Sequence, residues 1–238
     1  MKKSTLSKNV SDVRFTGLSP QMLKYFRQLD RNNNKTWFAE HRSEYLQYVA
    51  EPMKRLALEL APVIQALDPK AATEPRRTVS RIYRDTRFAS DKTPYRPNVW
   101  IAFKRNIADW TKTPVYFFEV TGTEYIFGMG MYLANAATMR KFREMINADP
   151  QGFAEMIEPV NRSRLISLVP EQYKRPLPCE SCAHPAGVTA WYQSKTIAVI
   201  GSRAPDKTLF SPKIIDFLTA RFVLLKPLYD YLWKAVTV

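Results

Sequence analysis

The chain is expected to fold as α+β, a single domain in which a mainly antiparallel sheet of about five or more strands is flanked by N-terminal and C-terminal helices. Three observations predict this. Apolar residues recur at helical spacing near the start and the end of the chain, the middle changes to short runs rich in β-branched and aromatic residues, and those runs follow one another instead of alternating with helices. With 238 residues, 45% of them hydrophobic, there is material for one large core. Residues 1–13 are polar and aperiodic and read as a flexible tail, leaving 14–238 as the domain.

The first helix is predicted from Ser19, an N-cap residue, with Pro20 at the first helical position and Met22, Leu23, Phe26 and Leu29 as its apolar stripe. Arg31-Asn32-Asn33-Asn34 ends it. A second helical stretch carries Phe38, His41, Tyr45, Tyr48 and Val49, and continues past Pro52 through Leu56, Leu60, Val63 and Leu67, with Pro52 restarting or kinking it. Strands are predicted at 79–84, 99–103, 115–120 and 125–131, with Thr121-Gly122-Thr123 as a hairpin turn, and a buried fifth at 196–200. Helices are expected over 135–146, from Asp149-Pro150, and in a long C-terminal segment capped by Ser211-Pro212 with Ile214, Leu218, Phe222, Leu225 and Leu232 on one face.

The formal net charge is +14, and residues 76–105 hold nine cations against Asp85 and Asp91, a net +7 in thirty residues. A charge excess this concentrated favours anionic partners. The start is basic without an apolar stretch behind it, no later run is long enough to span a bilayer, and two cysteines are too few for a disulfide framework. A cytoplasmic protein with no membrane partner is the expectation.

The run from Arg81 to Tyr95 reads R-I-Y-R-D-T-R-F-A-S-D-K-T-P-Y. A guanidinium is permanently charged and presents a planar fork of donors, so Arg81, Arg84 and Arg87, with Lys92 and Tyr95, form the candidate ligand-binding set for a phosphate or carboxylate. If 78–84 is a strand, Arg81 shares a face with Val79 and Tyr83 while Arg84 lies opposite, so both cannot reach one ligand from a straight segment. The strand should end near Arg84-Asp85, with 85–95 an ordered loop that Pro94 and Pro97 keep from being helical. Asp85 and Asp91 are the candidate catalytic carboxylates; beside so many cations, each is more simply an ion-pair partner that orients the arginines.

Cys179-Glu180-Ser181-Cys182-Ala183-His184 offers two thiols and an imidazole, one ligand short of a structural zinc site, and the only other histidine, His41, is distant in sequence. The spacing also excludes haem attachment. Two ordinary loop thiols, no metal and no cofactor are the expectation. His41, beside Trp37 and Tyr45 on an apolar helix face, reads as a packing residue. Gly128-x-Gly130 lacks the third glycine of a dinucleotide fingerprint, and Walker, G-x-S-x-G and H-E-x-x-H motifs are absent.

Several of these segments recur together elsewhere. Phe15-Thr16-Gly17-Leu18, Asn33-Asn34-Lys35 with Trp37-Phe38, the whole run from Arg81 to Tyr95, Gly128-Met129-Gly130-Met131-Tyr132 and Pro227-Leu228-Tyr229 resemble a family of uncharacterised, mostly bacterial proteins, a domain of unknown function. The central run carries most of the resemblance, as R-x-x-R-D-x-R-F-x-x-D-K-x-P-Y. It implies one full-length domain and brings no reaction, cofactor or catalytic residue with it. Two functions from different classes therefore stand open: a protein that binds, or acts on, a small anionic ligand at the arginine cluster, and a nucleic-acid-binding protein in which Tyr83, Phe88, Tyr95 and Trp100 stack bases within the basic stretch. In a third reading the cluster is a purely structural set of ion pairs.

Overall fold

A computed structural model of the chain describes residues 14–87, 90–169, 171–173, 175, 177 and 184–236. The expected tail, Phe88, Cys179 and Cys182 lie outside the described residues. The rest is a single α+β domain.

Helix α1 (Pro20–Arg31) starts where Ser19 and Pro20 place it and buries Met22, Leu23, Tyr25, Phe26 and Leu29. Asn34 then opens α2 (Lys35–Glu40), its side chain accepting from the Trp37 N–H at 2.9 Å. A short α3 (Arg42–Tyr45) leads into a π-helical turn, Leu46–Ala50, and α4 (Glu51–Leu67) follows without a break. Pro52 explains the wide turn. It has no N–H to return to the preceding turn, and the Glu51 N–H donates to the Leu46 carbonyl five residues back, so the chain expands ahead of the proline and continues. Ile64, not Val63, carries the buried stripe of α4 with Met53, Leu56, Ala57 and Leu60.

Five strands, β1 (Asn98–Phe103), β2 (Val115–Thr121), β3 (Tyr125–Gly130), β4 (Ser167–Leu168) and β5 (Ala198–Arg203), pair antiparallel in the order β1-β2-β3-β5-β4. Thr121 to Glu124 closes the β2–β3 hairpin as its turn residues require. Gly128 and Gly130 have a packing reason: a Cβ at Gly128 would stand 2.0 Å from the Val199 carbonyl oxygen, and one at Gly130 would stand 2.6 Å from Ala198 Cα.

The expected strand at 79–84 is not one. A four-residue helix, α5 (Pro75–Thr78), precedes it, and the segment touches β1 and its approach only through isolated bridges, Val79 with Ile101 and Tyr83 with Tyr95. The reason is a register slip. The Ser80 N–H donates to the Trp100 carbonyl, whereas the Ile82 carbonyl accepts from Arg96, so Arg81 alone stands opposite Pro97, Asn98 and Val99 and the ladder breaks there.

Helices α6 (Ala136–Ala148) and α7 (Pro150–Asn161) are capped by Asn135 and Asp149, whose side chains accept from the Thr138 and Gly152 N–H groups. After the four-residue α8 (Thr189–Tyr192), the long α9 (Lys213–Ala235) packs on β3, α4, α6 and α7. On α9, Tyr229 stacks on Tyr116 with centroids 4.5 Å apart, and Phe217 meets Phe127 edge-on at 4.9 Å. Among the described residues no helix is long and apolar enough to cross a membrane.

Candidate anion-binding site

The Arg81 to Tyr95 run divides into cations that are engaged within the protein and one that faces outward. Arg84 Nη1 meets Asp91 at 2.6 Å, and the Asp91 carboxylate also accepts from the Thr93 N–H. Arg87 clasps Asp85 with two side-chain hydrogen bonds, Nε at 2.9 Å and Nη2 at 2.7 Å, and Lys92 donates to the Thr86 carbonyl. These bonds close the loop upon itself.

Neither carboxylate is poised to take a proton at neutral pH. The Arg87 side-chain hydrogen bond, helped by the Arg87 N–H, pulls Asp85 down to about 2. The Thr93 backbone and side chain, and then the Arg84 charge, lower Asp91.

The loop is fixed from beneath by Asn33, whose amide donates to the Tyr95 carbonyl at 2.8 Å and accepts from the Tyr95 N–H at 3.0 Å. One side chain thus replaces a strand partner. It seats the Tyr95 ring, 5% exposed, flat on Phe38 at 4.1 Å, and Tyr83 packs against both, 5.6 Å from Tyr95 and 6.0 Å from Phe38. Tyr83 itself remains 61% exposed.

Beside this stack lies a cavity of about 390 Å³. Its floor is Phe38, Tyr45, Leu46, Val79 and Ile82, and its rim carries Arg42 from α3, Lys54 from α4, Arg76 from α5 and Arg81 from the slipped register. Lys54 is held by Glu51 at 2.7 Å. Arg42, Arg76 and Arg81 have no ion-pair or side-chain hydrogen-bond partner among the described residues. Burial first, and then the neighbouring Tyr83, push the Tyr45 hydroxyl up to about 12, so it stays a hydrogen-bond donor at any working pH. Among the described residues the lining contains neither a carboxylate nor an imidazole.

Of the residues singled out from sequence, Arg81 lines the cavity, and Tyr95 supports it through Phe38 and Tyr83. Arg84, Arg87, Lys92, Asp85 and Asp91 belong to the adjoining loop and do not line it. Arg42 and Tyr45 were not anticipated as site residues, although their spacing of three on a helix sets them on one face. Arg76 was visible only as part of the basic stretch. His41 stacks on Trp37 at 4.1 Å and donates Nδ1–H to the Trp37 carbonyl, a packing role. His184 meets Asn147 at 3.1 Å, and among the described residues no three His, Cys, Asp or Glu side chains converge as a metal site.

A family model described as conserved hypothetical protein (DUF2461) matches residues 21–231, and the chain belongs to that family. No curated protein matches the chain.

Proposed function

We propose that this member of the family binds a small anionic, phosphate- or carboxylate-bearing ligand in the cavity between α3, α4 and the segment 75–83. Arg42, Arg76 and Arg81 hold the anion, and Tyr45 donates a hydrogen bond. One observation carries the reading: three guanidinium groups, one from α3 and two from the segment 75–83, line one concave, largely apolar cavity, and among the described residues none is paired with an acid. Arginine forks set around an apolar floor suit a multiply charged head group with a small apolar or aromatic body. The absence of a carboxylate or imidazole from the lining favours binding over proton transfer.

The nucleic-acid reading draws less support. Arg84, Arg87 and Arg105 of the basic stretch are spent on Asp91, Asp85 and Asp68, and Arg96 and Lys104 lie over Trp100 and Trp110. Tyr95 is buried. Of the cations that remain, Arg76 and Arg81 line one cavity, Lys92 is turned to the Thr86 carbonyl, and Arg77 alone lies outside both, which makes a localised site and not a track along a surface.

Calorimetric titration with inorganic pyrophosphate tests the proposal. Saturable binding should weaken at least about tenfold, roughly 1.4 kcal/mol, in each of Arg42→Ala, Arg76→Ala and Arg81→Ala. Binding that is absent, or unchanged in all three variants, refutes it.

A further inference from the structure

We infer, resting on the anion site proposed above, that its ligand is a phosphate monoester carrying one flat aromatic ring, and that this ring stacks on Tyr83. Tyr83 lines the same cavity as Arg42, Arg76 and Arg81. The arginines thus hold the charged end of the ligand, and Tyr83 selects what is attached to it.

The geometry of the aromatic cluster leaves the Tyr83 ring uncovered. Phe38 and Tyr95 lie nearly flat on one another, 4.1 Å apart and 22° from parallel, so each covers a face of the other. Tyr83 meets Phe38 edge-on, at 64°, and Tyr95 at 49°, and it remains 61% exposed. Among the described residues no ring lies flat on it and no cation stands over it. Its two ring contacts therefore fix its orientation without using up its face, and a planar partner can add to the stack at no cost in reordering.

The chemistry of the ligand follows from what surrounds it. Three guanidinium groups exceed what a single carboxylate can engage, whereas a phosphate monoester brings close to two negative charges and three acceptor oxygens. Each fork can then take its own pair of oxygens or share one. An exposed aromatic face beside that charge favours a flat ring over an alkyl chain, because stacking adds to what apolar area alone contributes. At about 390 Å³ the cavity lies near the lower end of the range of ligand pockets, roughly 300–1,000 Å³, which suits one ring with its phosphate better than a dinucleotide.

The test is calorimetric titration of the full chain with phenyl phosphate against cyclohexyl phosphate, and with uridine monophosphate against ribose phosphate, at a pH where all four are dianions. In at least one pair the aromatic member should bind about tenfold tighter or more, and which pair does so tells whether the ring joins the phosphate directly or through a sugar. Tyr83→Phe should keep that advantage. Tyr83→Leu, which keeps apolar bulk but has no flat face, should cut it at least about fivefold, while pyrophosphate, which has no ring, binds both variants within about threefold of wild type. If Tyr83→Leu fails to fold, an intermolecular NOE between the ligand's ring protons and the Tyr83 ring decides, and its absence counts against the stack. Pyrophosphate binding without an aromatic advantage in either pair would overturn this inference and leave the anion site standing, whereas no binding of any of these anions would overturn both. An advantage undiminished in Tyr83→Leu would place the ring elsewhere and overturn it as well.

Discussion

The Tyr229 hydroxyl donates to Asp68 over 2.6 Å, joining residues 161 positions apart in the sequence. The same carboxylate oxygen accepts from Arg105 Nε at 2.8 Å, and Arg105 lies over Trp233 at 3.7 Å. Asp68 is 2% exposed, so these bonds tie the end of α4, the exit from β1 and the last turns of α9 around one buried charge. Burial opposes that charge, but hydrogen bonds from Arg105, Tyr229 and the Lys70 N–H together hold the carboxyl below its usual range.

A depressed folded-state value makes the contribution of Asp68 full above the unfolded carboxyl range, near pH 4, and lost as pH falls through the folded value. Asp68→Asn keeps the shape and an acceptor for Tyr229 while removing the charge that Arg105 faces. It should cost about 3 kcal/mol at pH 7, the low end for breaking a buried pair because the edge of Arg105 reaches solvent. Urea melts at pH 7 and near pH 3 check this, and the gap between wild type and variant should narrow at the lower pH.

Asn33 gives a second expectation. Removing its amide leaves the N–H and carbonyl of the buried Tyr95 without partners, a loss of about 2 kcal/mol. Asn33→Ala should therefore lower Tm by about 4–8 °C for a domain of this size. Because Tyr95 supports Phe38 and Tyr83, pyrophosphate affinity should fall as well, although Asn33 does not line the cavity.

The long helices were legible because their signals are local, whereas the four-residue Pro75–Thr78 and Thr189–Tyr192 were not anticipated. Ser19-Pro20, Asn135 and Asp149-Pro150 mark starts within one turn, and the apolar stripes of α1 and α9 follow the helical period. The strands of the β2–β3 hairpin were equally clear. β4 was not, since Ser167–Leu168 is a two-residue strand with no apolar pattern of its own, defined only by its pairing to β5. At 79–84 the β-branched composition suggested a strand, and the slip opposite Pro97, a property of two segments jointly, reduced it to bridges. The site was half legible for the same reason. Arg81 stood inside a dense run, whereas Arg42 reaches the cavity from a helix 39 residues earlier, a juxtaposition that only the fold creates.

The arginines of the run should consequently behave unequally. Arg87 is engaged with Asp85 at an exposed position outside the cavity, so Arg87→Ala should leave both Tm and pyrophosphate affinity close to wild type. Arg84→Ala frees Asp91 and loosens the loop, lowering Tm with a smaller effect on affinity than Arg81→Ala. Calorimetry and thermal melts on the three variants give the order, and an Arg84→Ala or Arg87→Ala loss equal to that of Arg81→Ala would move the site onto the loop.

Salt dependence separates the proposed small-anion cavity from a nucleic-acid surface. A protein that neutralises six to ten phosphates loses about 10³–10⁵ in affinity between 50 and 200 mM salt, because each contact releases condensed counterions. Three arginines around one cavity face a compact ligand that carries no condensed counterion layer, and their charges act over distances shorter than the roughly 8–10 Å screening length. Pyrophosphate affinity should therefore fall by only about tenfold or less over the same range. Single-stranded oligonucleotides, measured in parallel by fluorescence anisotropy, should bind weakly at 150 mM salt, and Arg77→Ala, which alters the basic stretch without touching the cavity lining, should leave pyrophosphate binding as it is. Oligonucleotide affinity that exceeds pyrophosphate affinity at 150 mM salt, falls steeply with added salt and drops in Arg77→Ala would assign the arginines to nucleic acid instead.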